Sequence, residues 1–238
     1  MAALDAILQQ HPVWRGGSLA RPISVLPTGF TALEAELPGG GWPRQALTEV
    51  LHEGFGLGEL GLILPALAAL TAAGQRAVWI APPHVPYAPA LTAAGVDLVN
   101  LLIIRPQNRY YALWAAEQAL RSGSCHLLAA WLPASRPKVR YAELQRLAVA
   151  AETGQAAAFV FRPLAAAAES SPACLRLALE PGGLELGLQI LKRRGAPLVT
   201  PLYLPLKRPF HVLGRAASSR ARRGDAPAAR RLGLPVHA

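Results

Sequence analysis

A chain of 238 residues, 52% of them hydrophobic, is long enough to bury one sizeable core. No uninterrupted apolar run reaches the roughly 18 residues of a membrane-spanning helix, and the first twelve residues lack the basic start of a secretory signal. Cys125 and Cys174 lie far apart, and the six histidines show no metal-ligand spacing, which argues against a disulfide framework or a metal site. These features predict a cytoplasmic protein with no membrane contact.

The net charge of +10 is concentrated in the last fifth of the chain. From residue 192 onward the chain has eleven Lys and Arg residues and one acidic residue, Asp225. Residues 1–191 have thirteen basic and thirteen acidic residues. This asymmetry predicts an acidic partner, either nucleic acid or a protein face, and leaves association with the nucleoid open. A solvated tail with no specific partner is the alternative. The candidate contact residues are Lys192, Arg193, Arg194, Lys207, Arg208, Arg220, Arg222, Arg223, Arg230 and Arg231.

The predicted elements begin with a short amphipathic helix over the first ten residues and a linker rich in Gly and Pro. A second helix, with Thr28 as its capping residue, carries Phe30, Leu33 and Leu37. Apolar strands then alternate with helices, which is typical of a parallel sheet covered on both faces. The predicted strands are 46–51, 77–81, 98–104, 126–131 and 156–161, and the helices are 58–73, a short one ending at 94, 110–121 and 141–152.

The hydrophobic period changes to two after Pro172, which predicts a hairpin with its turn at 180–183 and a further strand at 199–204. The last residues have the composition of a disordered basic tail. The sequence thus predicts an α/β fold, a three-layer α/β/α sandwich with a mostly parallel sheet, a C-terminal β-hairpin and a tail. The expected boundaries are 1–23 for the helix and linker, 24–213 for the core and 214–238 for the tail.

A glycine-rich loop lies between the first strand of the core and an apolar helix. This is the layout of a phosphate-binding P-loop, in which loop amides and a helix N-terminus cradle phosphate oxygens. Against the pattern G-x-x-x-x-G-K-[ST], however, Glu53 stands at the first glycine, Glu59 at the lysine and Leu60 at the Ser or Thr. The residues of this degenerate loop are Glu53, Gly54, Gly56, Gly58, Glu59 and Leu60.

Three segments, in order, resemble the RecA-like recombinase core. TGFTALEAELPGGGWPRQALTEV looks like the entry segment, and GFGLGELGLILPALAAL takes the place of the P-loop and its helix. WIAPPHVPYAPALTAAGVDLVNLLIIRPQ resembles the run around D-A-E-H and the later G-V-D-x-x-N-L-L, with His84 and Gly95-Val96-Asp97 at the family spacing. The resemblance covers about residues 24–165 and implies a RecA-like sandwich.

The departures from this family pattern fall on its catalytic positions. Glu59 would repel a triphosphate, and Leu60 offers no hydroxyl for Mg²⁺. Pro83 stands where recombinases have the glutamate that activates water, Ala81 replaces the aspartate, and the strand ending at Trp131 has no Walker B aspartate. The resemblance therefore implies a non-catalytic relative with no cofactor and no metal. A working ATPase with an unorthodox P-loop is the runner-up.

A RecA-like body with a G-x-G-E-L loop and a basic C-terminal extension is similar to ImuA proteins, also described as SulA-like. That resemblance implies a role in SOS-induced translesion DNA synthesis and mutagenesis, in response to DNA damage. The implied partners are the RecA recombinase, ImuB and an error-prone polymerase, with non-specific DNA binding by the tail. A SulA-like inhibitor of cell division is a further alternative.

Three other motifs have competing interpretations. Tyr110 and Trp114 are expected to pack against the sheet rather than stack on single-stranded DNA, because they share one helix face. Leu202, Leu204 and Leu206 either complete the sheet of this chain or form an edge strand for a partner. Ser124-Cys125-His126 is a poor nucleophile and base pair, because neighbouring strand residues point to opposite faces.

Overall fold

The computed structural model describes residues 24–54, 56, 58–134, 138–182, 185–195, 198 and 200–205. The predicted N-terminal helix and linker and the predicted basic tail, with the boundary at residue 213, lie outside these ranges. No helix in the described part has the length and apolar character that a bilayer crossing requires.

Two sheets form within the described residues. The small one pairs β1 (Val25–Leu26) antiparallel with β2 (Trp42–Pro43). The large one runs in the order β10-β9-β8-β3-β7-β6-β4-β5. The last six strands of this order are mutually parallel. Strand β9 pairs antiparallel with β8, and β10 pairs antiparallel with β9. Its strands are β3 (Ala46–His52), β4 (Ala77–Ile80), β5 (Leu101–Ile104), β6 (Leu127–Trp131), β7 (Ala157–Pro163), β8 (Leu175–Gly182), β9 (Glu185–Lys192) and β10 (Leu202–Pro205).

Helices cover both faces of this sheet. The described helices are α1 (Thr31–Glu36), α2 (Glu59–Ala72), α3 (Ala88–Ala93), α4 (Arg109–Arg121) and α5 (Tyr141–Thr153), with 3₁₀ turns at Leu98–Asn100 and Leu164–Ala168. Apolar residues of α1, α2 and α3 form one core with Trp79 and Phe159 of the sheet. Residues of α4 and α5 form a second core on the opposite face, with Val78 and Val160. The predicted three-layer α/β sandwich with a mostly parallel sheet and a C-terminal hairpin is confirmed.

The central strands are buried on both faces, which is why they read as continuous apolar runs. Every residue of β4 and β6 is buried, as are all but the first of β3.

The two helices of the second core meet closely at their C-terminal ends. A Cβ at Gly154, which follows α5, would lie 1.8 Å from the carbonyl oxygen of Leu120 in α4, so only glycine fits there.

Two predicted features differ locally. The N-cap of α1 is Phe30 rather than Thr28, because Gly29 adopts a positive φ of 79° between them. Thr28 still braces the helix, since the carboxylate of Glu34 accepts hydrogen bonds from the Thr28 amide at 2.8 Å and hydroxyl at 3.1 Å. The predicted strand 98–104 begins only at Leu101, because the Asp97 side chain accepts the Val99 amide and caps a 3₁₀ turn.

Candidate functional site

The P-loop-like segment follows β3 at the carboxyl edge of the sheet, where ligands bind in open α/β folds. His52 ends the strand and Glu59 is the first residue of α2. Gly56 and Gly58 both adopt positive φ, at 83° and 101°, which turns the chain sharply into the helix. The backbone geometry of a tight loop feeding a helix N-terminus is therefore present.

The carboxylate of Glu59 folds back into this loop. Its Oε1 accepts the Gly56 amide at 3.2 Å and its Oε2 accepts the Gly58 amide at 3.1 Å. The residue is only 6% exposed. Loop amides and a helix N-terminus attract anions, and here the anion is supplied by the chain itself. An incoming phosphate would have to displace this carboxylate and would meet its charge.

Aromatic side chains fill the neighbouring carboxyl ends of β3, β6 and β7. Trp131 stacks on Phe161 with ring centroids 4.8 Å apart, and its other neighbour, Trp79, meets it edge to face at 5.5 Å. His52 contacts Phe161 and pairs through Nδ1 with the Gly54 carbonyl at 2.6 Å. An open groove of about 330 Å³ remains beside these residues and the loop. Its walls are mainly apolar.

The segment that matches D-A-E-H and G-V-D-x-x-N-L-L has a structural role. Ala81 takes a positive φ of 52° directly after β4, and Pro83 and His84 are exposed beyond it. The Asp97 amide donates to Thr71 Oγ1 at 3.1 Å, and Asn100 Nδ2 donates to the Thr71 carbonyl at 3.2 Å. These contacts fasten the end of α2 to the turn that precedes β5. The described residues contain no group of three His, Cys, Asp or Glu side chains that could hold a metal ion.

Comparisons with known proteins give two similarities. Residues 49–158 match the model of a family described as cell division inhibitor SulA. The chain is 34% identical to protein RecA of Streptomyces ambofaciens over 134 residues, 53% of this chain and 36% of that protein. It is also 34% identical to protein RecA of Mycobacterium avium over 129 residues, which are 54% of this chain and 37% of that protein.

Part of this chain is therefore similar in sequence to RecA proteins. It spans about a third of the length of the curated relatives it matches, so the similarity concerns a core and not a whole protein. The region that matches the SulA family runs from the middle of β3 to the start of β7. It includes the P-loop-like segment and the edge strand β5.

The basic residues that sequence predicts as partner contacts fall into two sets. Arg193 is bound to α1, because it donates to Glu36 Oε2 at 2.8 Å and to the Glu36 carbonyl. Lys192 Nζ donates to the Ser171 carbonyl at 3.1 Å, and Arg194 is exposed. Arg193 and Arg194 line, with Arg44, a cavity of about 270 Å³ at the amino end of β3. The others, Lys207, Arg208, Arg220, Arg222, Arg223, Arg230 and Arg231, lie outside the described residues.

The structure overturns one sequence interpretation and decides between the alternatives of another. Tyr110 and Trp114 are 71% and 54% exposed, so the expectation that they pack against the sheet is wrong. Leu204 is fully buried and β10 pairs with β9, so Leu202 and Leu204 complete the sheet of this chain. Burial raises the pKa of Cys125 to about 12, which removes it as a nucleophile.

Sequence reasoning missed a buried ion network across three strands. The Glu49 carboxylate of β3 accepts Arg162 Nη1 of β7 at 2.7 Å and Arg176 Nε of β8 at 2.6 Å. Arg162 also binds Glu169. Burial alone would raise the pKa of Glu169, but its bonds to Arg162 and Lys138 outweigh burial and lower the pKa. The available signal was three charged residues inside otherwise apolar strand sequences.

Proposed function

We propose that this protein is a non-catalytic, RecA-like accessory factor of SOS-induced translesion DNA synthesis. In this role it links the RecA recombinase, or DNA, to an error-prone polymerase complex that contains ImuB. The observation that carries the non-catalytic part is the Glu59 carboxylate, which takes the loop amides that a phosphate would need. The similarities to RecA and SulA proteins support a connection with the response to DNA damage.

The rest of the site supports the same interpretation. Leu60 follows Glu59 without a hydroxyl for Mg²⁺, and the end of β6 carries the stacked Trp131 instead of a carboxylate. Pro83 has no proton-accepting side chain for activating water. A fold that keeps its sheet, its loop and its helix but fills the catalytic edge with aromatic side chains is suited to presenting a surface to partners.

Equilibrium binding of a fluorescent ATP analogue, with and without Mg²⁺, tests the non-catalytic part. We expect no saturable binding at micromolar protein. Micromolar, Mg²⁺-dependent binding would instead favour an ATPase with an unorthodox P-loop.

The Glu59→Lys variant extends this test. We expect no phosphate release above background, because the introduced ammonium group would have neither a metal contact nor a base to work with. Glu59→Gln serves as the control, since it removes the charge without adding a cation. Measurable turnover in Glu59→Lys alone would count against the proposal.

Co-purification tests the partner role. Tagged full-length chain is mixed with RecA, with ImuB, or with both, and retention is compared with a chain that lacks residues 1–20. Loss of RecA retention in the shortened chain would support an N-terminal arm that contacts RecA. If the full-length chain retains neither RecA nor ImuB, the proposed linking role is contradicted.

The match of residues 49–158 to the SulA family favours one second candidate, an inhibitor of cell division. Overexpression in a bacterial host separates the two roles, because an inhibitor blocks septation and produces filaments without DNA damage. Normal septation at high expression would remove this candidate.

A further inference from the structure

Exposed large apolar side chains gather at one edge of the main sheet. Val99 is 93% exposed and Leu102 is 57% exposed, although both belong to an apolar stretch that precedes and enters β5. Soluble monomers rarely expose contiguous patches of this kind without a binding function. The edge patch consists of Leu98, Val99, Leu102, Ile103 and Trp114, of which Val99, Leu102 and Trp114 line one groove.

The strand at the centre of the edge patch lacks the usual protection of a sheet edge. Among the described residues β5 pairs only with β4, so its outer side offers backbone groups for further pairing. Its sequence, LLII, contains no Pro and no charge. The opposite edge, β10, is bounded by Pro201 and Pro205, which block the addition of a strand. The two edges are therefore built differently.

Beside β5, a groove of about 670 Å³ separates the strand from α4. Leu102 and Ile104 form one wall and Trp114 and Ala115 form the other. An added strand would cover the outer side of β5, and its side chains would enter this groove next to Trp114.

We propose that β5 pairs antiparallel with β5 of a second copy of this chain, across a two-fold axis at Leu102. In such a pair, facing side chains must lie on the same side of the sheet, so Leu102 meets Leu102 and Leu101 meets Ile103. The sheet would then continue through both copies. Val99 and Trp114, which line the groove beside Leu102, supply apolar area that a four-residue strand alone lacks.

The charges at the two ends of the strand favour a second copy over another occupant. Asp97 precedes β5 and Arg105 follows it, so the edge carries opposite charges at opposite ends. Antiparallel pairing about Leu102 brings the end of one copy that carries Arg105 to the end of the second copy that carries Asp97, and the reverse holds at the other end. An edge that is apolar in the middle and oppositely charged at its ends is complementary to itself.

Sedimentation velocity of the full chain alone, from about 1 to 100 μM, measures the association without nucleotide, RecA or ImuB. The proposed function can therefore fail while this inference stands, and this inference can fail while the proposed function stands. We expect a dimer whose dissociation constant rises at least tenfold in Leu102→Lys, because two ammonium groups would meet at the axis. Tyr203→Lys is the matched control, since Tyr203 is 55% exposed on the opposite edge strand. It should dimerise like the parent chain.

A mixture of Leu102→Lys with Leu102→Glu should recover the dimer, because the two substituted side chains then attract each other. With oxidised glutathione added as the oxidant, Leu102→Cys should form a disulfide between copies, whereas Tyr203→Cys should not. A chain that is monomeric at every concentration would overturn the proposal. So would a dimer that Leu102→Lys leaves intact, or one that is lost when residues 1–23 are removed, since that segment would then be the occupant.

Discussion

At the residue scale, the Glu59 carboxylate lies 3.2 Å from the Gly56 amide and 3.1 Å from the Gly58 amide, at the N-terminus of α2. Hydrogen bonds from backbone amides to a charged acceptor are among the stronger ones in proteins, and the helix dipole adds to them. The carboxylate thus neutralises an anion-attracting loop and holds its shape. This one side chain stabilises the loop and occupies two amides that a bound phosphate would otherwise use.

Replacing Glu59 with alanine should expose that anion-attracting loop. We expect Glu59→Ala to lower the free energy of unfolding by about 1–2 kcal/mol, because two amides lose a charged acceptor. Added sulfate should then raise the melting temperature of the variant more than that of the parent, since the free amides can bind it. Glu53→Ala, which alters an exposed carboxylate of the same loop, is the control. Equal sulfate effects in all three proteins would contradict this account.

The buried Glu49 offers a second test at this scale. Glu49→Ala leaves the guanidinium groups of Arg162 and Arg176 without their shared carboxylate inside the sheet. Breaking a buried ion network in this way costs about 3–5 kcal/mol, so we expect a loss of that size in urea unfolding. Glu36→Ala removes the partly exposed partner of Arg193 and should cost far less. Similar losses in the two variants would show that the buried network is not specially important.

At the element scale, the N-terminus of α5 is stabilised by a carboxylate with a lowered pKa. Burial alone would raise the pKa of Glu143, but the Arg140 amide at 2.8 Å and the Arg109 guanidinium at 3.1 Å outweigh it and lower the pKa. A carboxyl whose folded pKa is lowered contributes stability above its ordinary pKa of 4.5. That contribution is lost as the pH falls through the lower folded value.

The lowered pKa of Glu143 determines how the stability of the Glu143→Gln variant should depend on pH. The variant should be less stable than the parent at pH 7, and the difference should shrink as the pH falls below about 4.5. Urea unfolding at a series of pH values measures it. Glu152→Gln, an exposed change on the same helix, should leave the pH profile unchanged. A difference that grows in acid would contradict the assigned role.

At the scale of the whole molecule, the alternation of apolar strands and helices predicted the parallel sheet, because full burial and local periodicity are visible in short windows. The ion network was not predicted, since Glu49 lies 113 residues from Arg162 and 127 from Arg176. Helical spacing placed Tyr110 and Trp114 on one face but could not show that no element of the described chain covers it. The return of the Glu59 side chain into its loop depends on a rotamer that no sequence pattern encodes.

The folded core also determines where the basic tail can be removed for a test. Ending the chain at residue 191 would delete β10, which pairs with β9 and buries Leu204. Any loss of binding would then be confused with damage to the sheet. Ending it after Pro205 keeps every described strand and removes eight Lys and Arg residues with one acid, Asp225.

The shortened chain, residues 1–205, should bind single-stranded DNA more weakly than the full chain at low salt. Because each phosphate contact releases counterions, the slope of log affinity against log salt should fall by as much as about 5 when eight cations are lost. A full-length variant with Arg220, Arg222, Arg223, Arg230 and Arg231 changed to alanine separates charge from chain length and should show most of the same change. Equal salt slopes in all three proteins would assign the tail to a protein partner, and the retention of RecA and ImuB by the same samples would then identify which.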